Sequence, residues 1–177
     1  VNSIGPRTEN ITGYPNIRYV DSHTTSTGNN GTASNPYKSL SYAFLQGQPA
    51  GVAFKVAEGT YIGGGDQLNQ PGKIFVFGGY EPVTWTRDIY KHPTILDGQG
   101  ARAAIKTEAQ DGASLDGFVI TGGLGSGVKS SIVAQKGFTL SNCFIIENSG
   151  TNGGGLITGA TGPNFPTNVY TVRNCLF

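Results

Sequence analysis

The chain has 177 residues, of which 28 are glycine, 13% are charged and 10% are aromatic. That is enough length for one continuous core, and enough aromatic content to exclude a low-complexity disordered chain. Twelve basic and eleven acidic residues are spread along it for a net charge of +1, so no basic cluster marks a nucleic-acid groove or an anionic membrane surface.

No apolar run approaches the roughly 20 residues of a spanning helix. The two cysteines, Cys143 and Cys175, are not in a CxxC unit and have no neighbouring His, which speaks against a zinc site. There is no Met, and the last apolar segment runs to Phe177, so the chain is expected to be a piece of a longer protein.

In chain order, residues 1–16 read as a polar leader or loop with Gly5, Pro6, Gly13 and Pro15. Ile17-Arg18-Tyr19-Val20 alternates in period two and reads as a strand. Residues 21–36 have the composition of a loop. A short helix is expected next, capped by Ser34 or Asn35, with Pro36 at its first position and an apolar stripe of Leu40, Ala43 and Phe44, ending at Gly47. It is too short to stand alone and is expected to cover the open end of a strand stack.

Ala53–Ala57, Lys73–Phe77 and Thr94–Asp97 read as strands, and Ala103–Lys106 and Ser131–Ala134 as weaker ones. The near-continuous apolarity of 73–77 predicts burial on both faces. Gly63-Gly64-Gly65 and Gly153-Gly154-Gly155 are turns, without the Lys-Ser/Thr of a phosphate loop. Residues 81–93 form a longer excursion that holds the only tryptophan, Trp85.

Three segments then share one layout: Leu115–Ile120, Leu140–Ile145 and Val172–Phe177. Each runs aliphatic, polar, Gly or Asn, aromatic or Cys, then two apolar residues. Their irregular spacing, with a Gly/Asn corner recurring in the same chain direction, predicts a parallel stack in which each coil adds one strand about 4.8 Å above the last. Gly117, Asn142 and Asn174 would be the corner ladder, because Gly and Asn reach left-handed backbone most cheaply. Phe118, Cys143 and Cys175 would be the core ladder behind it. The two thiols would lie on adjacent coils, either bridged or side by side as small apolar groups.

With these residues in view, Ile17–Asp21, Gly31-Thr32, Asn35–Leu40 and Val56–Tyr61 resemble the N-terminal cap of right-handed parallel β-helix proteins of the pectate-lyase-like superfamily. Gly78-Gly79-Tyr80, Thr94–Gly98, Leu115–Gly123, Asn142-Cys143 and Asn174-Cys175 are similar to the coil repeats of its bacterial secreted and surface members. The resemblance implies an all-β fold: a right-handed parallel β-helix, or solenoid, with a short N-terminal capping helix. One domain would span 17–177, with a cap region at 17–62 and coils at 63–177. It also implies a secreted, extracellular or cell-surface setting. It leaves activity open, since the superfamily holds lyases, hydrolases, adhesins and proteins without known activity.

A polysaccharide lyase of this fold would hold calcium on acids and take a proton with a Lys or Arg. Asp97, Asp111 and Asp116, with Arg102, Lys106 or Lys129, are the residues available, though no two acids share one predicted strand face. Asp97 and Asp116 each precede Gly, where an acid commonly bonds its own turn. No residue is assigned as catalytic or as a metal ligand, and no cofactor is expected, calcium applying only to a lyase. His23 and His92 read as solvated. Tyr80, Trp85 and Tyr90 are either a glycan-contact platform or the cover of the first coils. Asn10 and Asn30 head glycosylation sequons. The expected role is a non-catalytic structural, adhesive or filament-forming subunit, its partners further copies stacked end to end or a glycan. The alternative is a lyase or binding module for acidic glycans.

Overall fold

A computed structural model of the chain describes residues 13–62, 68–71, 74–108, 113–130, 138–151, 153–157 and 170–177. Residues 1–12 of the expected 1–16 leader, the Gly63-Gly64-Gly65 turn, Asp111, the sequon at Asn10 and the strand at 131–134 lie outside the described residues.

β1 (Ile17–Val20) and α1 (Leu40–Leu45) come first. The chain then makes successive rounds of three strands. They are β2 (Ala53–Ala57), β3 (Gly59–Ile62) and β4 (Leu68–Pro71), then β5 (Phe75–Tyr80), β6 (Thr94–Asp97) and β7 (Ile105–Glu108). The third round is β8 (Ala113–Asp116), β9 (Phe118–Thr121) and β10 (Val128–Ser130). The fourth is β11 (Phe138–Ser141), β12 (Phe144–Ile145) and β13 (Leu156–Ile157), before β14 (Thr171–Arg173).

The leading strands form a six-stranded sheet in the order β1-β2-β5-β8-β11-β14. The second strands form β3-β6-β9-β12 and the third β4-β7-β10-β13. The pairings between these strands are parallel. Parallel neighbours need long crossovers, and here each crossover is the passage through the other two sheets.

Alternation along each strand sends one row of apolar side chains inward. Phe54, Val76, Leu115 and Leu140 stand in register in the six-stranded sheet. Tyr61, Leu96, Ile120 and Ile145 do so in the second sheet, and Ile105, Val128 and Leu156 in the third. The three rows belong to one core cluster. Burying each large aliphatic residue contributes about 1.5–3 kcal/mol, so the core gains in equal steps as rounds are added.

Between the first and second strands of the third and fourth rounds, and again after β14, the chain turns on a single left-handed residue. Gly117 has φ 78°, and Asn142 and Asn174 have φ 53°. The register Asp116–Ser141–Arg173 puts these corners above one another, and Asn174 Nδ2 donates to Asn142 Oδ1 at 3.4 Å. A second link between rounds was not foreseen. Asn148 Oδ1 accepts from Gly123 N at 2.8 Å, and its Nδ2 donates to the carbonyls of Ile120 at 2.8 Å and Ile146 at 2.9 Å.

The helix is shorter than expected and starts later. Its N-cap is Ser39, whose Oγ accepts from Tyr42 N at 3.2 Å, and Leu40, Ala43 and Phe44 are its buried residues. Pro36 is outside it because Tyr37 is needed elsewhere. Tyr37 N donates to Tyr19 O and Asp21 N to Tyr37 O, both at 2.9 Å, so this segment lies along the outer edge of β1. Phe44 meets Phe54 edge-on at 5.6 Å, which places the helix against the inward row of the first round. The strand expected at 103–106 is shifted to β7, and β10 was not expected at all; Val128 pairs with Ile105 and supplies its one buried apolar residue.

Candidate functional site

The outward face of the six-stranded sheet carries a second set of rows. Phe75 stands beside Ser114 and then Thr139, and Phe77 beside Asp116, Ser141 and Arg173. With Tyr14 these residues line a shallow cavity of about 170 Å³. The Tyr14 ring leans against Phe75 at 4.7 Å, tilted by 49°, and meets Phe77 edge-on at 5.7 Å. One wall is therefore aromatic and the other is a run of hydroxyls that ends in the exposed Arg173. The expected burial of β5 on both faces has its explanation here: Val76 faces the core, while Phe77 is 4% exposed under this outer cover.

The excursion between β5 and β6 builds the rest of the site. Glu81 organises its start. Its carboxylate accepts from Val83 N at 3.1 Å, Thr84 N at 2.6 Å and Thr84 Oγ1 at 2.7 Å, and the bonds from Thr84 hold its pKa below the ordinary value. Trp85 follows with φ 55°, a left-handed backbone that is uncommon for a bulky residue. It is held by packing: its ring lies 4.7 Å from Tyr19 and 6.4 Å from Tyr80, and its Nε1 donates to Ala33 O at 3.4 Å. Lys55 Nζ sits 5.7 Å from the Tyr19 ring and 5.2 Å from the Tyr80 ring, and burial lowers its pKa.

Arg87 closes the excursion over the sheet. Its Nε donates to Gly78 O at 2.8 Å and its Nη2 to Asp116 O at 3.2 Å, and Nη2 also forms an ion pair with Asp116 Oδ1. The guanidinium lies 5.6 Å from the Phe77 ring and 5.9 Å from the Tyr80 ring, and its buried Nη1 has no hydrogen-bond partner among the described residues. The other oxygen of Asp116 accepts from Ser141 Oγ and, at 2.8 Å, from Asn142 Nδ2. One buried carboxylate thus joins β8, the excursion and the next corner.

Gly117 is tied to the same arrangement. A Cβ added there would press on Arg87 Nη2 and come within 2.7 Å of Ile89 Cγ2, on a backbone that disfavours side chains. Gly117→Ala is expected to cost about 2 kcal/mol, the left-handed penalty plus displacement of Arg87. Equilibrium denaturation measures it, and a cost near zero would mean that the corner relaxes freely.

The other residues singled out from the sequence are scattered. Tyr80 and Trp85 pack together, but Tyr90 is 53% exposed and its ring meets Phe144 at 6.5 Å instead, so the three do not make one platform. Phe118 and Cys143 are buried in the core, with Cys175 packed against it. Both thiols are free. Asp97 Oδ1 accepts from Gln99 N at 2.7 Å as a turn residue. Lys106 and Lys129 are direct neighbours across β7 and β10, on a different sheet from Asp116, and Arg102 lies in the turn before β7, its carbonyl accepting from Leu124 N at 2.9 Å.

His92 is not simply solvated. Its side chain is 23% exposed, and Nδ1 lies 3.0 Å from Glu58 Oε2, which ties the end of the excursion to the first round. His23 is largely exposed beside Ser22 and Asp21. Among the described residues no three His, Cys, Asp or Glu side chains come together as a cation site, and no helix is long and apolar enough to cross a membrane.

No family model, curated protein or solved structure matches the chain. The site's chemistry rests on its geometry. Both Asp116 oxygens accept from protein donors and the Arg87 guanidinium lies beside one of them, so this side chain is committed to joining β8, the excursion and the next corner. The aromatic wall and hydroxyl rungs beside it suit a small polar ligand with an apolar face. Arg87 was the residue that sequence reasoning missed. The available signal was a lone arginine among the aromatics of the excursion.

Proposed function

We propose that the chain is a right-handed parallel β-helix of the pectate-lyase-like superfamily, carried outside the cell or on its surface, where it acts as a non-catalytic structural or adhesive subunit. The cyclic order of three parallel sheets and the stacked left-handed corners support the β-helix reading. The observation that carries the non-catalytic role is Asp116: of the three acids that the sequence offered to a lyase, Asp116 is engaged by Arg87, Ser141 and Asn142 in holding rounds together, and Asp97 bonds its own turn. Self-association end to end is a weaker form of this proposal. Head-to-tail stacking needs both ends open, and the edge of β1 is already covered by Tyr37.

A second reading follows from the outer cavity. Its aromatic wall and its Ser114, Thr139 and Ser141 hydroxyls favour a glycan as the adhesive partner. The chain, titrated with neutral and uronate oligosaccharides and assayed for cleavage with and without calcium, is expected to bind weakly and to release no product. Phe75→Ala is expected to weaken binding about tenfold, the scale of one lost ring contact, and Tyr90→Ala to leave it unchanged. Unsaturated product from any uronate polymer would sink the non-catalytic role. Binding that is indifferent to Phe75→Ala would remove the cavity from the proposal.

A further inference from the structure

Cys143 and Cys175 stand one above the other. Leu140 is opposite Val172 and Ser141 opposite Arg173 in the pairing of β11 with β14. Asn142 and Asn174 then turn the chain with the same φ of 53°. Beyond the corner, Leu176 N donates to Cys143 O at 3.0 Å and Phe144 bridges to Leu176, so the register continues unbroken through both cysteines. Parallel neighbours are about 4.8 Å apart, inside the range of about 4.4–6.8 Å between the Cα atoms of a disulfide.

The two side chains also point the same way. Cys143 Sγ lies 3.1 Å from Ser141 O and Cys175 Sγ 3.4 Å from Arg173 O, in each case the carbonyl two residues back. With both in one orientation, each thiol is the other's side-chain hydrogen-bond neighbour. Their surroundings differ. Cys143 is 1% exposed, whereas Cys175 is only partly buried. The Cys143 thiol beside it brings Cys175 down to about 7, and burial pushes Cys143 well up. The pair therefore has an accessible nucleophile and a buried partner.

We propose that Cys143 and Cys175 form a dithiol site that closes to an inter-strand disulfide by exchange with a small-molecule disulfide, with Cys175 attacking and Cys143 resolving. In the first step the Cys175 thiolate attacks one sulfur of the small disulfide, forming a mixed disulfide and expelling one thiolate. In the second, Cys143 loses its proton and attacks the Cys175 sulfur, expelling the second thiolate. The protein gives up two electrons and two protons, and the small disulfide leaves as two thiols. The new bond ties β14 and the corner after it to the round below.

The whole chain treated with oxidised glutathione at pH 8 tests this. Wild type is expected to lose both titratable thiols with a mass decrease of about 2 Da and no retained adduct, and a non-reducing peptide map to join the Cys143 and Cys175 peptides. Cys143→Ser is expected to keep a glutathione adduct on Cys175, and Cys175→Ser to remain unmodified. Closure is expected to raise the Tm by roughly 5–10 °C, reversibly on reduction. A persistent adduct on wild type, or two thiols still titrating after exposure, would overturn the proposal. Because the wild-type peptide map is read on the native chain, the result does not depend on either variant folding.

Discussion

Asp116→Ala is expected to lower the stability of the fold by about 3–5 kcal/mol, the range for removing one partner of a buried ion pair. The side chains of Asp116 and Arg87 are 4% and 3% exposed. The substitution leaves a buried guanidinium whose remaining hydrogen bonds among the described residues go to the carbonyls of Gly78 and Asp116, and it removes the carboxylate that accepts from Ser141 Oγ and Asn142 Nδ2. Arg87 Nη1 already has no partner among the described residues, so little spare capacity exists to absorb the loss. Urea denaturation measures the effect as a lower midpoint at constant slope. Because most of the cost is the stranded charge, Arg87→Met in the same chain is expected to recover part of it. A loss under about 1 kcal/mol for Asp116→Ala, or a double variant no better than the single one, would contradict the account.

Phe118→Ala is expected to cost a similar amount, about 3–5 kcal/mol, by a different route. Phe118 is 1% exposed and follows the Gly117 corner directly. Its ring occupies the space beside Gly78, where an added Cβ would lie 3.1 Å from Phe118 Cε1. The equivalent positions in the next two rounds hold Cys143 and Cys175, so the third round is filled by one large side chain where its neighbours use small ones. Truncation opens a cavity between rigid strand rows that cannot close over it. Phe118→Leu is expected to cost distinctly less than the Ala variant, which separates loss of volume from loss of the aromatic ring in the same denaturation experiment. Equal costs for the two would place the ring's contribution outside simple packing.

The two effects lie one residue apart from a shared corner, yet they differed in how visible they were. Phe118 could be read from the apolar residue that follows each Gly or Asn corner. Asp116 could be seen only as a residue before Gly, which suggested a local turn. Its partner Arg87 is 29 residues away and belongs to an excursion that the other rounds lack. No periodicity links them. His92 is similar: it meets Glu58 across 34 residues, and the local sequence pointed to solvent.

The helix start shows the same competition at shorter range. Asn35 and Pro36 have good capping chemistry, but Tyr37 completes the edge of β1 through two backbone bonds. Tertiary pairing took the residues that local propensity assigned to the helix, and Ser39 became the cap. β10 shows the reverse case. Val128-Lys129-Ser130 carries too little pattern to predict a strand, and it is one because Ile105, Lys106 and Thr107 lie alongside it.

What could be read from the chain directly were the features that act within a few residues: alternation that defines an inward face, and Gly or Asn where the backbone turns left-handed. These repeat, and their repetition carries the parallel arrangement. What needed the tertiary structure were the side chains that meet between rounds. Their meeting depends on how many residues each connection spends, 25 from Asp116 to Ser141 and 32 from Asn142 to Asn174, and the connections carry no periodic pattern. The outer cavity, the Arg87–Asp116 pair and the stacked thiols all arise at that level, because stacking sets distances between residues that the chain itself keeps far apart.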